Sequence, residues 1–465
     1  MIKNINIPIT EWRDELNKIS PSFCAAKWKQ VTIHLQTGHT HSCHHPKTHK
    51  IPLAELENNP SALHNTSFKK SQRKLMLDGQ RPAECEYCWK VEDNTNSISD
   101  RIYKSADRIW SAPYINDIIS QPWDHDVTPS YVEVSFSSVC NFKCSYCGPS
   151  VSSRWMEEIE KYGPYPTTTK FNMLDPNQMP IPHKDENPYV DAFWKWWPTA
   201  YQELTHFRIT GGEPLLSKNT FKILDYVIAN PNPNLDFSIN ANMCPPDDIL
   251  ENFIEKIKII VFQRKVKSFK IYTSAEAHGA QCNYIRSGMD YDLWMNNIER
   301  MLDEIPQLSF TIMSTYNALS VPSYGKFLKD ILRLKKKYYR KKYIKYPAIF
   351  LDIPYLRYPQ HQSVFILTED FAETIQSHVK FMQNNTRNKF WFLKSYKGFE
   401  DVEIERMNRV YEMFLAHPKG DNDPDNKINR KNFYAFVNEH DHRRGTNFLK
   451  TFPEMGEFYR HCEGL

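Results

Sequence analysis

The sequence predicts an α/β protein whose main part is an open, partial (β/α)6 barrel, an incomplete relative of the eight-stranded TIM-like barrel. Short β-rich runs alternate with longer helical stretches from residue 131 onward, and this alternation is typical of βα units and a parallel sheet. A cysteine-containing segment precedes these units, and a charged, mainly helical pattern follows them. We therefore divide the chain into a small domain at residues 1–127, the barrel at 128–368 and a helical extension at 369–465.

Six short runs are the predicted barrel strands, at residues 131–136, 206–210, 236–240, 268–273, 308–314 and 348–353. The helices predicted between them lie at 219–229, 247–262, 291–304 and 324–338. A Pro- and Asn-rich stretch at 163–188 predicts a long loop. In folds of this kind the functional residues lie in loops after the carboxyl ends of the strands.

The first domain contains a predicted hairpin. Residues 28–35 alternate, with Val31, Ile33 and Leu35 on one face, which predicts a strand. Gly38 then predicts the turn, and a second short strand leads toward Cys43.

Composition and charge favour a soluble cytoplasmic protein. The 465 residues are 40% hydrophobic, which is enough for a full core and a satellite domain. A net charge of +4 does not by itself indicate a nucleic-acid partner. The amino terminus lacks a signal-like apolar segment, and apolar runs such as 259–262 are too short to cross a bilayer, so we expect no membrane association.

The ten cysteines indicate metal binding. A cytosolic chain is a poor candidate for disulfides. We interpret Cys244, Cys282 and Cys462 as isolated buried thiols. The other seven form a tight triplet and a two-part set, which is the grouping that metal ligation needs.

The triplet is Cys140, Cys144 and Cys147, spaced C-x3-C-x2-C directly after a predicted strand. Three thiolates from one loop can hold three irons of a [4Fe–4S] cluster and leave the fourth iron open, as catalysis requires. A zinc knuckle is the alternative, but it would need a fourth ligand nearby, and none follows within the loop.

With Tyr146 just before its third cysteine, this motif resembles the signature of the radical S-adenosylmethionine (SAM) superfamily. The resemblance implies that SAM chelates the open iron and that one electron cleaves it to a 5′-deoxyadenosyl radical. The cofactor then supplies the difficult chemistry, while the protein binds and orients it. The resemblance also implies a flavodoxin- or ferredoxin-type reductant.

A second motif, Thr210-Gly-Gly-Glu-Pro, ends the next predicted strand. The chain has 14 glycines, so the adjacent pair Gly211 and Gly212 is notable, since glycine lets the backbone approach a ligand closely. Glu213 offers a carboxylate to an ammonium group. With Pro214, these residues resemble the superfamily's GGE motif, which grips the SAM amino group.

Further SAM-contacting candidates lie after later strands. They are Ser238, Asn240, Asn242 and Ser274. Ordinary strand-end hydrogen bonding is the alternative for all of them. Arg286 lies in a Tyr-Ile-Arg-Ser-Gly stretch common in one branch of the superfamily. It could pair with a SAM or substrate carboxylate or form a structural ion pair, and the sequence does not choose between them.

The second cysteine set is Cys24, Cys43, Cys85 and Cys88, four thiolates that make a closed coordination set. Its first half resembles the start of SPASM and twitch domains, and the missing later cysteines favour the twitch form. The resemblance implies an auxiliary iron–sulfur cluster, for which we favour [4Fe–4S]. Structural zinc is the competitor. A nearby histidine tract, His39, His41, His44, His45 and His49, could supply a ligand but is interpreted as surface or second-shell.

The substrate is less well indicated. Twitch and SPASM relatives often modify peptides or proteins, so the resemblance implies a peptide or protein substrate. Aromatic residues at 193–197 could line a groove, although packing between helix and sheet is the simpler interpretation. A small molecule, nucleotide or RNA is the alternative, and the basic run at 335–342 would suit RNA, but such a run is more often a solvated helix face. A non-catalytic iron–sulfur scaffold or redox sensor is the third hypothesis.

Overall fold

The computed structural model describes residues 2, 4–95, 97–169, 172–182, 185–339, 347–386 and 397–465. It is a mixed α/β structure with a large, mostly parallel sheet. The chain forms two compact units. The first contains Met1–Ser138, Pro180–Ser238 and Arg264–Ser268, and the second contains Val139–Met179, Ile239–Gln263 and Phe269–Leu465.

The strands are β1 Gln30–His34, β2 His39–His41, β3 His49–Lys50, β4 Tyr131–Ser135, β5 Lys143–Cys144, β6 His206–Thr210, β7 Asn232–Asn240, β8 Val266–Ser274, β9 Arg286–Ser287, β10 Ser309–Met313 and β11 Ile349–Asp352. The helices are α1 Ile9–Asn17, α2 Ala26–Lys29, α3 Leu53–Asn58, α4 Ser67–Leu77, α5 Glu86–Asn94, α6 Asp100–Ser105, α7 Ile115–Ser120, α8 Ser153–Tyr162, α9 Pro188–Glu203, α10 Lys218–Ala229, α11 Asp247–Phe262, α12 Gly279–Ile285, α13 Tyr291–Glu304, α14 Tyr324–Lys337, α15 Ala372–Asn384, α16 Asp401–Ala416, α17 Pro424–Arg444, α18 Phe448–Thr451 and α19 Gly456–Glu463.

All six predicted strands are present, with small shifts at their ends, and so are the four predicted helices. The predicted strand at 28–35 is wrong at its start. Trp28 belongs to α2, because its N–H donates to the Ala25 carbonyl in a helical turn, and β1 begins at Gln30. Between α8 and α9 the described residues contain one short 3-10 turn, Pro176–Gln178, and are otherwise irregular, as predicted.

In the first unit the strand order is β3-β2-β1-β4-β6-β7. Strand β1 pairs antiparallel with β2 and parallel with β4, where Val31 lies opposite Val132. Alternating apolar side chains face one side of these strands and are buried. Helix α9 covers apolar side chains of the sheet, since the Trp197 and Phe207 ring centroids are 4.7 Å apart. The aromatic run at 193–197 therefore packs between helix and sheet, the simpler of the two interpretations.

In the second unit β10 lies between β8 and β11, and all three are parallel. A separate antiparallel pair joins β5 to β9. Helix α14 packs beside β11, where buried Lys335 pairs with Glu403 of α16 at 2.7 Å. Lys335 therefore does not belong to a solvated basic face, and residues 340–342 of that run lie outside the described residues. The part after residue 369 is mainly helical where it is described.

Within the described residues, no helix combines the length and apolarity needed to cross a bilayer.

Candidate active site and second cysteine site

The cysteine triplet lies in one loop of the second unit, and all three cysteines are half-buried. The Cys147 N–H donates to the Cys144 carbonyl at 2.9 Å, and the Phe142 N–H donates to the Cys140 sulfur at 3.4 Å. The loop is fixed from α8, because the Trp155 indole N–H donates to the Cys144 carbonyl at 2.8 Å. The backbone thus holds the three cysteines in one compact turn, as a shared cluster needs.

The pairing of β5 with β9 brings Arg286 to this loop, with Cys144 opposite it in register. Its Nη1 lies 3.5 Å from the Cys144 sulfur, and its Nε donates to Glu276 Oε2 at 2.8 Å. Its Nη2 donates to the Tyr146 hydroxyl at 2.5 Å, and this hydroxyl donates to Glu276 Oε1 at 3.2 Å. Arg286 therefore forms a buried ion pair and also contacts a cysteine of the triplet.

The electrostatics of the loop oppose free thiolates. Burial raises the pKa of Cys147 to about 12, and it raises the pKa of Cys144 although the Arg286 charge acts in the other direction. A bound iron would supply the positive charge that keeps these thiols deprotonated. The donor set, three thiols with a guanidinium beside one of them, fits an anionic iron–sulfur group.

Glu276 was not identified from the sequence. It is fully buried and lies two residues after Ser274, the last residue of β8. A carboxylate directly after a predicted strand end, close to a candidate SAM-contacting serine, was the available signal.

Asn242 stabilises the triplet loop from the segment after β7. Its Nδ2 donates to Asn141 Oδ1 at 2.6 Å, and Asn141 Nδ2 donates to the Cys244 carbonyl at 2.7 Å. Asn240 and Ser238 lie in β7, and Ser274 ends β8. Cys244, Cys282 and Cys462 are buried, in agreement with their interpretation as isolated thiols.

The helical extension also reaches the triplet loop. Arg444 of α17 donates to the Lys143 carbonyl at 2.7 Å and pairs with Glu158, which in turn pairs with Lys143 at 2.6 Å. Gln362 donates to the Ser145 carbonyl at 3.0 Å. The loop that carries the cysteines is therefore also supported by α17 and by Gln362 of the second unit.

The Gly-Gly-Glu-Pro motif lies in the first unit, directly after β6. Gly211 has a φ of +132°, and a Cβ there would come within 2.7 Å of Ser135 Oγ and 2.8 Å of the Ser137 carbonyl oxygen. The Gly212 N–H donates to this carbonyl at 3.0 Å. Glu213 is 2% exposed and accepts from the Leu215 N–H, while Pro214 begins a 3-10 turn. The close approach of two chain segments explains why glycine is needed.

All four cysteines of the second set line one cavity in the first unit. The cavity is also lined by three cationic side chains, Lys27, Arg101 and Lys104. Lys27 pairs with Glu84, and Arg101 pairs with Glu92 at 2.9 Å. Asp100 also lines the cavity, so charges of both signs lie beside the four thiols.

Among the described residues, no group of three or more His, Cys, Asp or Glu side chains is placed to hold one metal ion.

His45, from the histidine tract, lines this cavity. It contacts Asp100 at 2.8 Å and stacks on the Tyr87 ring. His39 and His41 are buried in β2, and His49 contacts Thr66. His39 and His41 are therefore not surface residues, because β2 lies inside the sheet between β1 and β3. His41 contacts the Cys43 carbonyl oxygen, which leaves the second-shell alternative as a prediction.

No family model matches the chain. A curated relative, GTP 3',8-cyclase from Nautilia profundicola, is 26% identical over 112 residues, which are 24% of this chain and 27% of that protein. The chain thus spans about a quarter of the length of this curated relative.

Two solved structures of SuiB from Streptococcus suis are also similar, each at 12% identity. The structure bound to S-adenosylmethionine gives a TM-score of 0.34 and covers 76% of this chain and 69% of that chain. The structure bound to precursor peptide SuiA gives a TM-score of 0.33 and covers 77% and 70%.

Proposed function

We propose that this protein is a radical SAM enzyme that cleaves SAM reductively to a 5′-deoxyadenosyl radical and modifies a peptide or protein substrate. The observation that carries the proposal is the triplet loop with Cys140, Cys144 and Cys147 in one turn and Arg286 at the Cys144 sulfur. A [4Fe–4S] cluster there would supply one electron to SAM.

The chain's own residues would bind and orient the reactants. The three thiolates hold the cluster, and Arg286 donates to one of them. Gly211 and Gly212 allow close backbone approach, and the buried carboxylate of Glu213 accepts hydrogen bonds from the SAM ammonium. Ser238, Asn240, Asn242 and Ser274 stay predicted SAM contacts.

We further propose an auxiliary cluster, [4Fe–4S] in type, at Cys24, Cys43, Cys85 and Cys88. The four cysteines share one cavity, and the iron–sulfur delivery that the triplet already requires supports this assignment over zinc. We also propose that the chain divides at residues 127 and 368 into a twitch-like domain, a partial barrel and a helical extension. All ten cysteines are free, which suits a reducing cytoplasm with a flavodoxin- or ferredoxin-type donor.

A nucleotide is the second candidate substrate, because the curated relative is named for its action on GTP. Lys335 of the basic run is buried against Glu403 and is therefore not available to RNA. Lys337 is exposed and pairs with Glu299 at 2.6 Å, and residues 340–342 of the run lie outside the described residues.

Anaerobic SAM cleavage tests the proposal. The protein is reconstituted with iron and sulfide, reduced with dithionite in the presence of SAM, and assayed for 5′-deoxyadenosine by mass spectrometry. We expect 5′-deoxyadenosine from the wild type and none from the Cys140→Ala, Cys144→Ala, Cys147→Ala triple variant. Full cluster content and SAM binding without cleavage, across several reductants, would favour the scaffold or sensor instead. Zinc in place of iron at the triplet would overturn the proposal.

A further inference from the structure

A second cavity lies in the second unit, beyond the carboxyl end of β11, and has a volume of about 240 Å³. Tyr355, which lines it, forms a parallel bridge with Tyr316 after the neighbouring strand β10. Ligand sites in parallel α/β folds lie beyond the carboxyl ends of strands. This cavity is thus placed where a substrate would be expected, and none of the cysteines lines it.

The cavity carries two opposite charges that do not pair with each other. Arg357 lies over the Tyr355 ring, 5.1 Å from its centroid, and has no carboxylate within ion-pair distance among the described residues. Asp425, near the start of α17, also lines the cavity, and within the described chain its carboxylate has no basic partner. Two unpaired charges that line one cavity are available to a ligand that carries both signs or both hydrogen-bonding roles.

Two carboxamides add neutral hydrogen-bonding groups. The side chains of Gln360 and Asn429 line the cavity and have no hydrogen-bond partner in the described part of the chain. A carboxamide offers one acceptor and two donor hydrogens, which complement the C=O and N–H of a peptide group. Leu356, Phe365 and Ile366 supply an apolar wall.

The wall of the cavity is held in place by buried contacts. Arg430 of α17 is 1% exposed and donates to the Ile366 carbonyl at 2.7 Å, and it also pairs with Asp421 at 2.6 Å. The His417 ring lies 5.3 Å from the Phe365 ring and contacts Asn426 at 3.2 Å. The apolar wall is therefore preformed, which lowers the entropy cost of binding, while the side chains of Arg357, Gln360 and Asp425 are exposed to a ligand.

We propose that this cavity binds a carboxylate-bearing end of the peptide substrate, with the terminal carboxylate on Arg357 and main-chain N–H groups facing Asp425. Gln360 and Asn429 bind main-chain amides, and the apolar wall takes the last side chain. This inference rests on the proposed peptide substrate and assigns residues to its recognition.

Fluorescence anisotropy with three synthetic probes tests it on the reconstituted protein without reductant. The first is a fluorescein-labelled Gly/Ser decapeptide that ends in leucine with a free carboxylate. The second ends in leucine amide, and the third is the same amide with a glutamate before the leucine. We expect the free acid to bind about tenfold or more tightly than the plain amide, since a charge-assisted pair is lost. If the third probe binds as tightly as the free acid, the carboxylate that Arg357 recognises can come from a side chain near the end of the peptide.

Arg357→Gln should reduce binding of the free acid to the level of the amide, and Arg357→Lys should restore part of it. Arg154→Gln is the matched control, since Arg154 is an exposed arginine paired with Glu157 and lies on α8. Equal binding of free acid and amide, or full binding by Arg357→Gln, would overturn the inference. The assay involves no SAM cleavage, so 5′-deoxyadenosine formation with no carboxylate preference would refute only this inference.

Discussion

Arg286 lies between the fully buried carboxylate of Glu276 and the sulfur of Cys144, a predicted cluster ligand. The positive charge of Arg286 and the negative charge of Glu276 should therefore have opposite effects on the reduction potential of the cluster. Hydrogen bonds and positive charge at cluster sulfurs raise the reduction potential. We expect Arg286→Gln to lower the potential of the triplet's cluster, because it removes the donor at Cys144. We expect Glu276→Gln to raise it, because it leaves the Arg286 charge uncompensated. A redox titration followed by EPR measures both.

Lys335→Met and Glu403→Gln provide the control for this pair. They break another buried ion pair of the second unit, which joins Lys335 of α14 to Glu403 of α16. Both side chains also form hydrogen bonds with the backbone of β11. These variants should lose stability, by about 3–5 kcal/mol for a broken buried pair, without a change in potential. If Arg286→Gln and Glu276→Gln shift the potential in the same direction, the pair has only a structural role.

Gly211 allows a separate prediction, since its φ is positive and its surroundings leave no room for a Cβ. Gly211→Ala should abolish SAM binding and lower the melting temperature, because the new methyl group would contact Ser135 Oγ and the Ser137 carbonyl oxygen. Gly163→Ala is the matched control, with a φ of +76° and no atom within 4 Å of the added Cβ. It should lose about 1–3 kcal/mol for the backbone conformation, whose ψ of −178° also favours glycine, but it creates no steric clash. Calorimetric SAM titration and thermal denaturation compare the two, and equal losses would contradict the argument.

Residue types and spacing were sufficient to predict the triplet and the Gly-Gly-Glu motif, since both are local sequence patterns. The partner of Arg286 was not predictable in the same way. Cys144 and Arg286 are 142 residues apart, and the short pairing of β5 with β9 joins them only after folding. Glu276 carries no motif of its own, so its role depends on the same pairing.

Strands and helices were predictable where their periodicity is strong. The bounds of β6, α11 and α13 agree with the sequence prediction, because apolar residues recur there with a clear period. The start of β1 was not predictable in this way. The alternation at 28–35 begins inside a helical turn, and the hydrogen bonds of that turn make residues 28 and 29 helical. The parallel pairing of β1 with β4, which places Val31 opposite Val132, joins segments about a hundred residues apart and leaves no local signal.

Helix α15 carries a buried histidine that makes the stability of its packing depend on pH. His378 is 3% exposed and contacts the Tyr316 hydroxyl at 3.0 Å. Burial lowers its pKa from 6.5 to about 4. The unfolded chain therefore binds a proton at this histidine more readily than the folded chain does, and stability is lost as pH falls from about 6.5 toward 4.

We expect His378→Gln to weaken this acid sensitivity relative to the wild type. Urea denaturation at pH 7.0 and pH 5.0 gives the free energy of unfolding for both proteins. His125→Gln is the control, because His125 is exposed and its replacement should leave the difference between the two pH values unchanged. An identical pH dependence for His378→Gln and the wild type would show that His378 is not responsible.

At the scale of the whole molecule, the ten cysteines divide into three classes that the structure keeps separate. Three lie in one loop of the second unit, four line one cavity of the first unit, and Cys244, Cys282 and Cys462 are buried singly. The grouping of the first seven was predictable from spacing. That Cys24 and Cys43 share a cavity with Cys85 and Cys88 depends on how α2, β2 and α5 pack, which spacing alone does not determine.

These three classes predict the metal content of three variants. An iron–sulfur cube contains four irons, so the reconstituted wild type should hold about eight irons per chain. Replacing the four cavity cysteines by alanine, or the three loop cysteines, should each leave about four, whereas replacing Cys244, Cys282 and Cys462 should leave all eight. Metal ligation contributes to folding, so only loss of the cavity site should destabilise the first unit. Hydrogen exchange measures the stability of that unit separately from the second unit. Iron and zinc are measured together by mass spectrometry. One zinc per chain that disappears with the cavity cysteines would assign that site to zinc and leave the triplet as the only iron site.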